Sequence, residues 1–129
     1  MFSRLVSELS EEVTKLDALE FARAIVDALE EKKAEDILLL DLKGVAPFTD
    51  YFVICSGTSE RMLRALMHAA LDEVREKFHK KTVIEGEPRE GWMLADFGDV
   101  VVHVFSAAQR DYYRLEELWS DGKVLLHVQ

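Results

Sequence analysis

The chain has 129 residues, of which 49% are hydrophobic and 32% are charged, and its net charge is −9. This composition predicts one globular domain with a substantial core, and it excludes fibrous and disordered chains. The acidic balance disfavours direct, broad binding to nucleic acid, whose phosphates would repel the chain. It favours a basic protein partner, including one that itself lies on RNA.

A single cysteine, Cys55, rules out an internal disulfide and fits a reducing compartment. The first residues lack the long apolar run of a signal peptide. No segment approaches the roughly 20 apolar residues of a membrane span. We therefore expect a cytoplasmic protein that does not associate with membranes.

The first half of the chain alternates helical and strand patterns. Residues 1–15 are polar and mixed, and they predict an N-terminal arm or helical turn. Asp17 and Glu20 match a capping box, so the first helix is expected to begin near Asp17. Short apolar runs at 37–40 and 51–55 predict strands that are covered on both faces. Thr58 or Ser59 then caps a second helix with an apolar stripe.

The second half predicts three strands and a last helix. The strands are expected at 82–84, 92–95 and 100–105, with Gly98 in the turn between the last two. Ser106 and Gln109 form a second capping box that opens the helix, whose far end is expected to be core: Leu115, Leu118, Trp119. The order predicts a single α/β domain with a mixed five-stranded sheet flanked by helices. Residues 121–129 are either a tail or a short extra strand.

Few residues suit catalysis or metal binding. The four histidines are scattered, so we expect neither a metal nor a cofactor. Four aspartates fall at predicted strand ends, but no Asp-x-Asp or Asp-x-Glu pair lies on a strand: Asp41, Asp50, Asp96, Asp99. Two-metal phosphoryl transfer needs such close carboxylates. We interpret Asp96 and Asp99 as turn formers with a second role as partners for lysines or arginines of a bound protein.

Three further features each have two interpretations. His103, in an apolar strand, is either a hydrogen-bonded structural residue, which we favour, or a partner contact at a sheet edge. Cys55 is either an inert buried thiol, which we favour, or a nucleophile activated by His103. Residues 56–59 form either an ordinary strand-to-helix turn or a weak phosphate site, since they match neither a P-loop nor a dinucleotide fingerprint.

The remaining aromatics favour protein contacts. Phe97 is expected at a turn tip, where a core role is harder to arrange, so it suggests an exposed contact. Trp92 follows a glycine-containing loop at the start of a strand, and either core or contact suits it. The same choice between core and contact stays open for Phe105 and Tyr113.

Several separate motifs occur in order along residues 17–120: Asp50-Tyr51-Phe52-Val53-Ile54, Ser56-Gly57-Thr58-Ser59, Glu85-Gly86, Trp92, Asp96, Gly98-Asp99-Val100, Val102-His103-Val104-Phe105, Arg110, Tyr113, Leu115-Glu116 and Leu118-Trp119. Together these motifs resemble the ribosomal silencing factor family, also called the Iojap family. The chain departs from the family in having Phe97 where leucine is common, and in residues 45–47. We assign residues 16–120 to the family domain.

The resemblance implies a nucleotidyltransferase-like fold without catalytic carboxylates. It implies binding to the fourteenth protein of the large ribosomal subunit, which blocks joining of the small subunit and represses translation. It also implies a homodimer in the free state and a contact surface that includes Trp92 and Phe97. We therefore expect a ribosomal silencing factor rather than an enzyme. The alternatives are a divergent nucleotidyltransferase, with phosphate at Ser56-Gly57 and metal at Asp96 or Asp99, and a large-subunit assembly factor.

Overall fold

The computed structural model describes the backbone of residues 2–129 and the side chains of residues 17–129. In chain order its elements are α1 (Phe2–Glu31), β1 (Glu35–Asp41), β2 (Tyr51–Gly57), α2 (Glu60–Phe78), β3 (Ile84–Glu85), β4 (Trp92–Asp96), β5 (Val100–Ser106), α3 (Ala107–Tyr113), α4 (Leu115–Leu118) and β6 (Lys123–Val128). A single turn of 3-10 helix, Pro88–Glu90, lies between β3 and β4.

The six strands form one mixed sheet in the order β3-β4-β5-β2-β1-β6. Only β2 and β5 run parallel, and every other neighbouring pair is antiparallel. The predicted α/β class with a mixed sheet is therefore confirmed, with six strands instead of five. The extra strand is β6, which pairs with β1 along Ile37–Asp41 and makes residues 123–128 part of the sheet.

The main core lies between the sheet and the two long helices. Inward residues alternate along the strands, as the two-residue period of a pleated strand requires, so that Val53, Cys55 and Val102 face α1 and α2. The apolar stripe of α2 meets them with Leu63, Leu66, Met67, Ala70 and Val74. Ser59 caps α2, because its side-chain oxygen accepts the Met62 backbone N–H at 3.0 Å.

Two predicted helix boundaries were wrong. The first helix does not begin near Asp17, which lies inside α1, so the Asp17–Glu20 pair is not a capping box at its start. The predicted last helix is two helices, because Arg114 adopts a left-handed φ of 46° between α3 and α4. Ser106 does cap α3, accepting the Gln109 N–H at 3.2 Å, but the Gln109 side chain bonds Glu90 instead of completing the box.

Candidate protein-binding face

The sheet face opposite α1 and α2 carries a continuous band of ring side chains. Alternation along β4 and β5 places Trp92, His103 and Phe105 there, and Phe52 joins them from β2. Further rings on this side come from the end of α3, the end of α4 and the loop after β1. We call all of these ring side chains together the aromatic face: Phe48, Phe52, Trp92, His103, Phe105, Tyr113, Trp119. Leu115 of α4 packs over this side, as does Ala46 of the loop after β1.

Trp92 is the centre of one half of the aromatic face. Its ring stacks on Phe105 with a centroid distance of 4.9 Å, and it packs against Tyr113 at 4.6 Å. Its indole N–H donates to Nδ1 of His103 at 3.2 Å. Phe105 is fully buried, whereas 47% of Tyr113 is exposed. The choice that the sequence left open is thus resolved in part: Phe105 is core, and Tyr113 is a surface residue.

His103 is a buried, neutral residue within this face. Burial lowers its pKa to about 3, because the charged form loses its hydration. Since Nδ1 accepts the Trp92 N–H, the proton of the neutral ring is assigned to Nε2. Strand β5 lies inside the sheet, so His103 is not at a sheet edge. The structural interpretation of His103 is confirmed, and the edge-contact alternative is wrong.

The other half of the aromatic face centres on Phe52 and Trp119. Their rings meet edge to face at 6.0 Å, and Phe48 packs on Trp119 at 5.5 Å with 56% of its own surface exposed. Phe52 also meets His103 edge to face at 4.6 Å, which joins the two halves. Trp119 is half-buried, in keeping with a packing role, but Leu118 is 73% exposed. The prediction that Leu118 belongs to the core was wrong.

Phe97 lies away from the aromatic face. It is five residues from Trp92, an odd number, so the pleat of β4 directs it towards the helix side of the sheet. There its half-buried ring meets Phe21 of α1 edge to face at 5.0 Å. The expectation of an exposed turn-tip side chain was therefore wrong, and Trp92 and Phe97 do not form one contiguous patch.

Asp96 and Asp99 shape the turn between β4 and β5. The Asp96 carboxylate accepts the Gly98 N–H at 2.8 Å, and the Asp99 carbonyl accepts the backbone N–H groups of Asp50 and Tyr51 at 3.0 Å each. Both aspartates are exposed, so their carboxylates face solvent at the end of the hairpin. Their role as turn formers is confirmed. Their second role, as partners for lysines or arginines of a bound protein, remains a prediction.

Cys55 and His103 cannot act as a nucleophile and base. Cys55 faces the helix side of the sheet and His103 faces the aromatic side. Burial raises the pKa of the Cys55 thiol to about 12, which removes the thiolate that nucleophilic attack requires. The inert-thiol interpretation is confirmed.

Arg110 fixes the helix that carries Tyr113. Its guanidinium donates to the Asp36 carbonyl at 2.6 Å, to the Ser56 hydroxyl at 3.0 Å and to the Glu116 carboxylate at 3.2 Å, and only 6% of the residue is exposed. One side chain thus joins α3 and α4 to β1 and β2. The Ser56 hydroxyl already accepts the bond from Arg110, and the Ser59 hydroxyl already accepts the Met62 backbone N–H that caps α2.

Sequence reasoning missed Phe48 and Phe52 as parts of the candidate site, and it offered His103 only as a contact at a sheet edge. The signal was present for Phe52 and His103, because Val101, His103 and Phe105 share a face by period two, and Phe52 and Ile54 face the same side on the neighbouring strand. Phe48 lies in the loop between β1 and β2, where no period applies, and only the fold brings it to Trp119.

Comparisons with known proteins agree on one family. The family model described as "Ribosomal silencing factor during starvation" matches residues 15–128. The ribosomal silencing factor of Bacillus subtilis is 44% identical over 95 residues, which cover 74% of this chain and 80% of that one. A mouse protein named mitochondrial assembly of ribosomal large subunit protein 1 is 34% identical over 99 residues, covering 74% of this chain and 43% of its own.

A solved structure supports the same assignment. A crystal structure of a Chromobacterium violaceum protein superposes with a TM-score of 0.75 and 34% identity, covering 79% of this chain and 85% of that one. Between residues 2 and 129, no helix has both the length and the apolar character needed to cross a bilayer. The matched segment includes every strand of the sheet, both halves of the aromatic face and Arg110. The chain belongs to the ribosomal silencing factor family.

Proposed function

We propose that this chain binds the fourteenth protein of the large ribosomal subunit through the aromatic face, and that the bound domain sterically blocks joining of the small subunit. The observation that carries the proposal is the exposure of large aromatic side chains around a rigid, stacked Trp92. Buried tryptophan and tyrosine anchors dominate binding energy at protein interfaces. Membership of the family supplies the ribosomal context.

Charge supports the same partner class. A ribosomal protein must neutralise RNA phosphates and is typically basic, whereas this chain has a net charge of −9. Complementary charge accelerates encounter, and burial of the aromatic centre then slows dissociation. The proposed action takes place wherever the ribosomal subunits meet, which for this chain we propose to be the cytoplasm.

A protein that inhibits by covering the surface where the small subunit would join needs no catalytic group. The side chains that an enzyme would use here already have structural roles, since Ser56 accepts a bond from Arg110, Ser59 caps α2, and Asp96 closes a turn. We therefore propose that the chain acts as a stoichiometric inhibitor rather than as a nucleotidyltransferase.

Binding to purified large subunits tests the proposed surface. Trp92→Ala removes the centre of one half of the face and should weaken binding by about 2 kcal/mol or more, close to thirtyfold. Phe78→Ala is the matched control, because it removes a half-buried aromatic ring on the helix side, where Phe78 packs on Phe21. Wild-type affinity in a folded Trp92→Ala variant would exclude the aromatic face as the binding surface.

A subunit-joining assay tests the consequence of binding. Wild-type chain, added to mature large subunits, should prevent them from joining small subunits, and Trp92→Ala should inhibit only at higher concentration. The name of the mouse relative favours a second candidate, a role in large-subunit assembly. That candidate predicts no effect on joining of mature subunits, together with immature large particles when the protein is removed from cells.

We further propose that the free chain forms homodimers that cover exposed apolar side chains. Phe48, Tyr112 and Leu118 are 56%, 77% and 73% exposed. Large apolar side chains that are exposed in this way are candidates for an association surface. Sedimentation over a concentration series should show a monomer–dimer equilibrium, and a monomer at all concentrations would contradict the proposal.

A further inference from the structure

A cavity of about 230 Å³ opens beside Trp92, between β4, the loop that precedes it and the end of α3. Its lining divides into two chemical halves. Trp92, Leu94 and Tyr113 form an apolar wall, and the acidic lining comes from Glu85 at the end of β3 and Glu90 in the 3-10 turn, with Gly86 between them along the chain. The lining contains no cationic side chain.

The apolar wall offers ring surface rather than hydrogen-bond donors. The two aromatic rings meet with their centroids 4.6 Å apart and an interplanar angle of 50°. The indole N–H of Trp92 is already bonded to His103, so it does not compete for a polar ligand. A tilted pair of aromatic rings of this kind attracts a cation through the negative faces of the rings.

Neither carboxylate pairs with a cationic side chain in the part of the chain whose side chains the structure describes. Among the side chains of residues 17–129, the ion pairs include neither Glu85 nor Glu90, whereas Glu87 between them pairs with Arg89 at 2.6 Å. Exposed carboxylates next to an apolar wall are suited to binding a cationic side chain of another protein.

The backbone between Glu85, at the end of β3, and Trp92 packs closely on its neighbours. Gly86 has a φ of 82°, and a Cβ there would lie 2.3 Å from the Trp92 carbonyl oxygen. Gly91 has a φ of 77°, and a Cβ there would lie 2.6 Å from the Ser106 hydroxyl oxygen. Both glycines therefore allow the loop to pack closely on β4 and α3, and the 3-10 turn between them places Glu90 at the cavity.

We propose that this cavity receives an arginine side chain of the bound basic protein. A guanidinium group is planar, stacks on aromatic rings and donates two parallel hydrogen bonds to a carboxylate. A lysine ammonium is a strongly hydrated point charge and uses the ring wall less well. The inference deepens the proposed function and rests on it for the identity of the partner, but the chemistry of the cavity is testable without ribosomes.

The direct test follows the two indole N–H resonances by NMR while an acetylated Gly-Arg-Gly amide peptide is added. Two further peptides, with lysine or norleucine in place of the arginine, are added in parallel titrations. The chain has two tryptophans, so Trp119 is an internal control. The Trp92 resonance should shift and saturate with the arginine peptide, shift less with the lysine and norleucine peptides, and lose its response in the double variant Glu85→Gln, Glu90→Gln. No response to arginine, or an equal response to all three peptides, overturns the proposal.

Binding to purified large subunits separates this proposal from the proposed function. The double variant should bind about tenfold more weakly and with a flatter dependence on salt, because both carboxylate partners are lost. Glu87→Gln is the matched control and should bind as the wild type does. If the double variant binds normally while Trp92→Ala does not, the arginine site is overturned and the aromatic face stands. If the wild type binds no large subunits, the proposed function falls, and the peptide titration alone decides the arginine site.

Discussion

His103 shows how the aromatic face constrains a single side chain. A histidine that is 3% exposed and surrounded by rings stays neutral, and its Nδ1 accepts the one donor that Trp92 offers. The pair fixes the orientation of the indole, whose ring wall is central to both proposals above. A polar residue in the middle of an apolar strand is therefore explained by positioning rather than by catalysis.

The neutral state of His103 predicts acid sensitivity. Its pKa falls from 6.5 in the unfolded chain to about 3 in the folded protein, so between these values only the unfolded state takes up the proton. Stability from this group is therefore present above pH 6.5 and decreases as the pH falls. His103→Gln, which keeps an acceptor for Trp92, should make the free energy of unfolding less steep in pH by up to about 1.4 kcal/mol per unit. Urea unfolding of the wild type and of His103→Gln, at several pH values between 3 and 6.5, measures how steeply the free energy of unfolding depends on pH. Equal slopes for the two proteins would contradict the prediction.

Arg110 predicts a second residue-scale effect. Arg110→Ala removes three hydrogen bonds and leaves the Glu116 carboxylate without its cation, so the free energy of unfolding should fall by about 3 kcal/mol. Arg75→Ala, which breaks an exposed pair with Asp72 in α2, should change it by about 0.5 kcal/mol or less. Thermal or urea unfolding compares the two. Similar losses would show that Arg110 does not hold α3 to the sheet.

At the scale of elements, local signals predicted four strands and the capped helix well, whereas the strand expected at 82–84 lies at Ile84–Glu85. The apolar runs at 37–40 and 51–55 lie within β1 and β2, and Ser59 caps α2. The errors have physical causes. Asp17 and Glu20 match a cap by spacing, yet the helical backbone continues through them. The pairing of residues 123–128 with β1 is a long-range contact that local sequence does not specify.

The candidate site was predicted less completely than the fold. Trp92 was expected at a contact surface through the family resemblance, Tyr113 was left open between core and contact, and a contact role for both stays a proposal. Phe97 was misplaced because the turn-tip argument was applied without the two-residue period of the preceding strand, which directs Phe97 towards Phe21. The cavity beside Trp92 depends on elements that meet only in the folded chain, so no local pattern of the sequence places the carboxylates of Glu85 and Glu90 beside Trp92.

The loop that leads into β4 predicts a steric effect that can be separated from backbone strain. Gly86→Ala and Gly44→Ala both place an alanine at a φ near 80°, but a Cβ at Gly44 meets nothing within 4 Å, whereas at Gly86 it meets the Trp92 carbonyl. Both variants should lose about 1 kcal/mol from strain, and Gly86→Ala should lose a further 1–3 kcal/mol, roughly, from the clash. Urea unfolding measures the difference, and equal losses would show that the loop adjusts freely around Trp92.

At the scale of the whole molecule, charge and aromatic surface contribute to different steps of binding. The net charge of −9 acts over distances comparable to the Debye length, about 8 Å at physiological salt, and thus acts on the encounter with a basic partner. Trp92 and Tyr113 act only after contact, when their surface is removed from water. The two contributions should therefore separate in the kinetics of association with the large subunit.

Raising the salt concentration should lower the association rate constant strongly and change the dissociation rate constant little, because screening weakens steering but leaves the buried aromatic contact in place. Trp92→Ala should do the reverse, with faster dissociation and nearly unchanged association, since the net charge is the same. Surface plasmon resonance on immobilised large subunits measures both constants, with Phe78→Ala as the control that keeps charge and aromatic face. If salt acts chiefly on dissociation, solvent-exposed charged contacts hold the complex together, and the buried aromatic contact is not its energetic centre.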